Sequence, residues 1–140
     1  MKIAIGCDEN ANDRMLDLIE VLGDKGIEYK VFNVEGDYPD VAAVVTKAVQ
    51  DGTYDRGILV CGTGIGMAIC ANKFKGIRAA VCHDIYSAQR SILSNDCQIL
   101  TMGFFIIGTK LAQEILKVWL SIERTGGTVS KVKKIEDLEK

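Results

Sequence analysis

Five short apolar runs, each handed on to a stretch with helical spacing, leave this 140-residue chain few ways to fold. Residues 2–5 run apolar into a Gly-Cys-Asp turn, and Met15, Leu18, Ile19 and Leu22 then recur at helical intervals until Gly26. Over 28–34, Tyr29, Val31 and Val34 alternate with polar neighbours, 36–39 turn, and Val41, Val44, Val45, Ala48 and Val49 mark a second helix ending near Gly52. Residues 57–61 (GILVC) read as a buried strand entering GTGIG, and 67–74 continue as a helix closed by Gly76. Two further strands, 78–82 and 98–102, flank a helix over 85–93. Leu111, Ile115, Val118, Trp119 and Ile122 give the clearest amphipathic helix, which makes Trp119 a core or interface residue.

Strictly alternating strands and helices need crossover connections, so the strands lie parallel with helices on both faces. The expected fold is α/β: a three-layer αβα sandwich, Rossmann-like, with a five-stranded parallel sheet and a C-terminal helical extension, in one domain over 1–140. Gly126-Gly127 breaks the chain before that extension. Its Val132, Ile135 and Leu138, set among Lys and Glu, fit two readings for 128–140: packing on a partner subunit, or a solvated helix on its own subunit.

With 48% hydrophobic and 26% charged residues the chain can bury a real core. Seventeen basic against nineteen acidic residues leave a charge of −2, so no global field recruits nucleic acid or an anionic membrane, and an anionic ligand must be held locally. Apolar stretches are short, and MKIAIGCDEN enters a strand with no signal-peptide pattern, so a cytoplasmic location is expected. Five cysteines, at 7, 61, 70, 82 and 97, form an odd set without a CxxC pair, and no metal constellation accompanies them. Cys7, Cys61 and Cys82 end strand-like runs, where open α/β sheets bind ligands, although an isolated cysteine is more often a small buried apolar residue.

The segment Val60-Cys61-Gly62-Thr63-Gly64-Ile65-Gly66 carries the most chemistry. Its glycines let backbone N–H groups converge on an anion, and the helix that follows adds the positive end of its dipole. The Lys-Ser/Thr ending of a P-loop and the full GxGxxG spacing are both missing, so a ligand-free strand-to-helix turn also fits the glycines. A thiol beside a helix N-terminus is favoured as the thiolate. Cys61 could then remove the proton next to a sugar carbonyl and return it to the neighbouring carbon. The 62–66 amides would hold the enediolate, and Thr63 would relay a proton between its oxygens.

KIAIGCD at the start, DYPD at 37–40, GILVCGTGIGMAICANKFKGIRAAVC at 57–82 and YSAQRSILSND at 86–96 together resemble type B ribose-5-phosphate isomerases and galactose-6-phosphate isomerase subunits, from residue 1 to about residue 119. The resemblance implies an aldose–ketose isomerase working without a metal or organic cofactor. Its substrate would be a small sugar or sugar phosphate, on a homodimer or higher homo-oligomer whose sites are completed across the interface. It implies Cys61 and Thr63 as catalytic residues, and Asp8, Tyr38, Gly62, Gly64, Ile65, Gly66 and a neighbouring subunit's Asn95 as substrate contacts. Local alternatives are an Asx turn for Asp8, a packed aromatic for Tyr38 and a helix C-cap for Asn95. Asn72 and Lys73 are expected to support the loop or the dimer.

The chain departs from that family at telling places. It reads Cys7-Asp8-Glu9 where a phosphate-contacting histidine follows the aspartate. Ser94 stands at the ring-opening histidine, Phe105 at a substrate-site arginine, and Thr128 and Val132 at two phosphate-clamping arginines. Phe105 is expected in the core or an interface, and His83, the one histidine, in a loop or surface role. Three readings fit: a hetero-oligomer in which a paralogue supplies the missing half-site; a homodimer acting on a shorter open-chain phosphate, gripped by Lys131, Lys133, Arg90 or Arg124; or a family member without activity. Outside the isomerase class, a non-enzymatic ligand-binding member or a flavodoxin-like nucleotide binder would keep the same fold.

Overall fold

The computed structural model describes residues 1–139. Strands β1 (Lys2–Cys7), β2 (Glu28–Val31), β3 (Arg56–Cys61), β4 (Ala79–Val81) and β5 (Ile99–Gly103) form one sheet in the order β2-β1-β3-β5-β4, and every pairing is parallel. Helices α1 (Met15–Asp24), α2 (Tyr38–Gln50), α3 (Ile65–Ala71) and α4 (Ile85–Leu93) make the crossovers, and α5 (Thr109–Ser121) and α6 (Val129–Glu136) follow the last strand. The expected αβα sandwich is the observed one.

Alternation along the buried strands sorts the layers, because successive side chains point to opposite faces. Ile3, Ile5, Ile58, Val60, Leu100 and Met102 meet α1, α4 and α5, with Trp119 fully buried among them. Ala4, Leu59, Cys61 and Ile99 meet α2 and α3. Cys61 therefore belongs to the α2–α3 face by the parity of its strand.

Boundaries moved where a side chain or a ladder intervened. The turn expected at 36–39 lies partly inside α2, because Pro39 tolerates the first helical turn and the Asp40 carboxylate accepts the Asp37 N–H at 2.9 Å. Helix α3 stops at Ala71. Beyond it the Asn72 carboxamide accepts the Ala79 N–H at 2.8 Å and donates to the Ala79 carbonyl at 2.9 Å, so Asn72 braces the start of β4.

Helix α6 is fastened to its own chain. Val132 is buried, the Thr128 N–H donates to the Ser94 carbonyl at 2.9 Å, Glu136 pairs with Arg78 at 3.1 Å, and the Gly76 N–H donates to Glu139 at 2.8 Å. Ile135 and Leu138 stay exposed. No helix among the described residues is long and apolar enough to cross a membrane.

Candidate active site

Cys61 ends β3 in register with Gly103, the last residue of β5. The chain must turn from strand to helix within three residues, and it does so through Gly64 at φ 76°, a left-handed conformation open to glycine. A Cβ at that position would also stand 2.8 Å from the Met102 carbonyl carbon. The loop is stitched to β5. The Phe104 N–H donates to the Cys61 carbonyl at 2.9 Å, the Phe105 N–H to the Gly62 carbonyl at 3.0 Å, and the Thr101 hydroxyl to the Gly64 carbonyl at 2.8 Å. Inside the turn the Gly64 N–H donates to the Cys61 Sγ at 3.0 Å, while the Thr63 Oγ1 accepts the Ile65 N–H at 3.3 Å. A backbone donor aimed at sulfur, at the start of a helix, is an arrangement suited to negative charge.

An open cleft of about 440 Å³ gathers Cys61, Gly62, Thr63, Ile65 and Gly66 with Asp8 and Tyr38. Asp8 follows β1 and forms the Asx turn as well as lining the cleft: its Oδ1 accepts the Asn10 N–H at 2.9 Å and its Oδ2 the Asn10 carboxamide at 3.3 Å. Tyr38 opens α2, 40% exposed, and its ring lies where a Cβ on Gly66 would come within 2.6 Å. Gly66 is thus small because the tyrosine occupies that space.

Two residues missing from the sequence reading, Asn10 and Ile69, complete the lining together with Phe105. Asn10 could have been found from the Asx spacing after Asp8, and Ile69 from its place one turn beyond Ile65. Of the two places expected for Phe105, core or interface, the core is not the one it takes. It is 71% exposed, and a Cβ on Gly62 would lie 2.7 Å from its ring, so it forms an apolar wall over the loop. Among the described residues, no lysine or arginine lines this cleft.

Asn95 lies elsewhere within the chain. It precedes β5, whereas Cys61 sits beside the far end of that strand, and five residues of strand span roughly 17 Å. Ser94 shares that distant edge, where Arg90 donates through Nε and Nη2 to its hydroxyl at 2.8 and 2.5 Å. Arg124, one of the expected phosphate contacts, holds both oxygens of Asp96 at 2.8 Å, and Lys133 pairs with Asp137. His83 sits in the loop after β4, half-buried, and its Nε2 accepts the Gly103 N–H at 2.8 Å.

The other strand-end thiols differ in setting. Burial pushes Cys82 up to about 11 and Cys97 up to about 12, and burial with the nearby Asp8 charge raises Cys7. Cys61 alone among the five lines the cleft beside the glycine loop.

A family model described as Ribose/Galactose Isomerase matches residues 3–138. A ribose-5-P isomerase B from Listeria innocua is 49% identical, over 99% of this chain and 97% of its own length. A D-erythrulose-4-phosphate isomerase from Pectobacterium atrosepticum is 47% identical, over 96% of this chain and 93% of its own. Among solved structures, a ribose-5-phosphate isomerase B from Clostridium thermocellum superposes with a TM-score of 0.93 at 42% identity, covering 99% of this chain and 97% of that one.

Proposed function

The chain belongs to the ribose/galactose isomerase family, and from that premise we propose that this isomerase interconverts an open-chain aldose phosphate and its ketose, with Cys61 carrying the proton. The observation behind the proposal is the Cys61 sulfur, set in an open cleft with a loop amide on it. As thiolate, Cys61 takes the proton from the carbon next to the carbonyl. The C–H electron pair becomes the C=C bond of the enediolate, and the carbonyl oxygen takes the negative charge, facing the amides of 62–66. The Thr63 hydroxyl passes a proton between the two oxygens, and the Cys61 thiol returns its proton to the former carbonyl carbon.

The open-chain substrate follows from what stands at residue 94. Opening a furanose needs an acid near neutral pH, and a serine hydroxyl already engaged by Arg90 does not supply one. A four-carbon sugar phosphorylated on O4 has no hydroxyl left to close a five-membered ring, so it needs no ring opening. The Pectobacterium relative's name, D-erythrulose-4-phosphate isomerase, describes this kind of substrate. Among the described residues the cleft has no cation, so the phosphate charge is met by loop amides and by a second copy of the chain, which also brings Asn95 to the cleft. The enzyme works in the cytoplasm as a homodimer or higher homo-oligomer.

The test is a panel of erythrose/erythrulose 4-phosphate, ribose/ribulose 5-phosphate and galactose/tagatose 6-phosphate with the purified chain and its Cys61→Ala variant. Tetrose phosphates are expected to turn over fastest, and only with Cys61 present. Fast pentose or hexose turnover with inert tetroses rejects the open-chain substrate. Activity that appears only on adding a histidine-bearing paralogue rejects the homo-oligomer.

A further inference from the structure

β4 pairs with β5 as far as Val81 opposite Thr101, and the Cys82 N–H donates to the Thr101 carbonyl at 3.1 Å. One more rung of this parallel ladder would bring the Gly103 N–H onto a carbonyl of β4. The chain instead leaves the sheet and enters α4 through its N-cap, Asp84. The His83 imidazole fills the vacated rung, its Nε2 accepting the Gly103 N–H at 2.8 Å. An accepting Nε2 assigns the ring proton to Nδ1 and leaves the ring neutral.

Gly103 is where the Cys61 loop rests. It is the register partner of Cys61, a Cβ on it would collide with Thr63 Cα and stand 2.6 Å from the Gly62 carbonyl oxygen, and the next two amides donate to the Cys61 and Gly62 carbonyls. We propose that His83 is a positioning residue for proton transfer: by capping β5 at Gly103 it sets the height of the Cys61–Gly62–Thr63 segment against the reacting carbons. This role rests on the isomerase reading above. Burial lowers the His83 pKa against the opposing pull of Asp84, which keeps the ring an acceptor near neutral pH. Asp84 is its charged neighbour; β5 presents the uncharged Gly103 and the loop behind it the uncharged Thr63. Protonation turns Nε2 into a donor facing another donor, and the cap is lost.

The experiment uses the full chain with His83→Leu, which removes the acceptor, and His83→Gln, which offers an acceptor that does not titrate. His83→Leu is expected to lose kcat by roughly 10- to 100-fold with KM nearly unchanged, as a displaced catalytic group does. His83→Gln recovers most of kcat and lacks the wild type's loss of kcat on the acid side of neutrality. The Gly103 amide resonance, followed by 15N NMR, should titrate together with the His83 ring in the wild type and equally in Cys61→Ala, which has no turnover. A Gly103 amide indifferent to the His83 titration overturns the proposal, as does a folded His83→Leu with wild-type kcat and pH profile. Should His83→Leu fail to fold, the His83→Gln profile and the Gly103 titration decide. Joint titration of Gly103 and His83 in a chain inert on every sugar phosphate supports the cap and rejects the isomerase reading separately.

Discussion

The Gly64 N–H points at the Cys61 sulfur from 3.0 Å, across a turn that Gly64 itself makes possible at φ 76°. Gly64→Ala is expected to cost about 1–2 kcal/mol for the left-handed backbone, with more for the clash with Met102. Activity should fall further than stability, because the donor moves off the sulfur. Cys61→Ala, in contrast, should leave the thermal midpoint nearly unchanged while removing about 10²- to 10⁴-fold in rate. Melting curves beside sugar-phosphate assays separate the two; an active Gly64→Ala would show that the turn geometry is dispensable.

Thiol labelling of the native protein should sort the cysteines by environment. Cys82 and Cys97, pushed up to about 11 and about 12 by burial, are expected to stay unmodified by iodoacetamide near neutral pH. Modification of Cys61 should end activity and be slowed by a bound sugar phosphate. Peptide mapping by mass spectrometry reads this directly, and labelling of Cys97 ahead of Cys61 would contradict it.

Arg78 ties the distant edge of the sheet together. Its guanidinium donates to the carbonyls of Asn95 at 3.0 Å and Asp96 at 3.1 Å, to the Asp96 carboxylate at 3.0 Å and to Glu136 at 3.1 Å, with only 9% of the side chain exposed. Arg78→Ala leaves a buried carboxylate with Arg124 as its remaining cation, and a loss of about 3–5 kcal/mol is expected in urea unfolding. Helix α6, which hangs on Glu136, should become a protease target in the same variant. Arg78→Ala with wild-type stability would sink this account.

Stability should also depend on pH through His83. Burial lowers its pKa in the fold, so the unfolded chain binds the proton more readily. The contribution is fully present above the unfolded value of about 6.5 and is lost as pH falls from there toward the folded value. Urea midpoints of the wild type should decline across that window, and those of His83→Gln should decline less. Equal slopes would remove His83 as the source.

The sheet was legible because parity along buried strands is a strong signal, and the family motif named the loop. Strand ends were less so: β2 stops at Val31, short of the expected 34, because it is an edge strand with β1 as its one partner. Cys61, Thr63, Asp8 and Tyr38 share one cleft, since Cys61 ends β3 with Thr63 in the loop behind it, Asp8 follows β1 and Tyr38 opens α2. The His83 contact with Gly103 depends on a missing rung between β4 and β5, and finding it requires knowing which strands are neighbours. Phe105 stays out of the core because the glycine loop offers its ring a flat surface outside.

The stitching of the loop to β5 also orders events in time. The Thr101 hydroxyl reaches the Gly64 carbonyl across 37 positions of sequence, and β5 inserts beside β3 while β4, made earlier, takes the outside edge. A chain emerging from the ribosome has synthesised Cys61 long before its support exists, and non-local pairings of this kind form late. Catalytic competence is accordingly a property of the nearly complete chain: during refolding, helical signal should return first and turnover last.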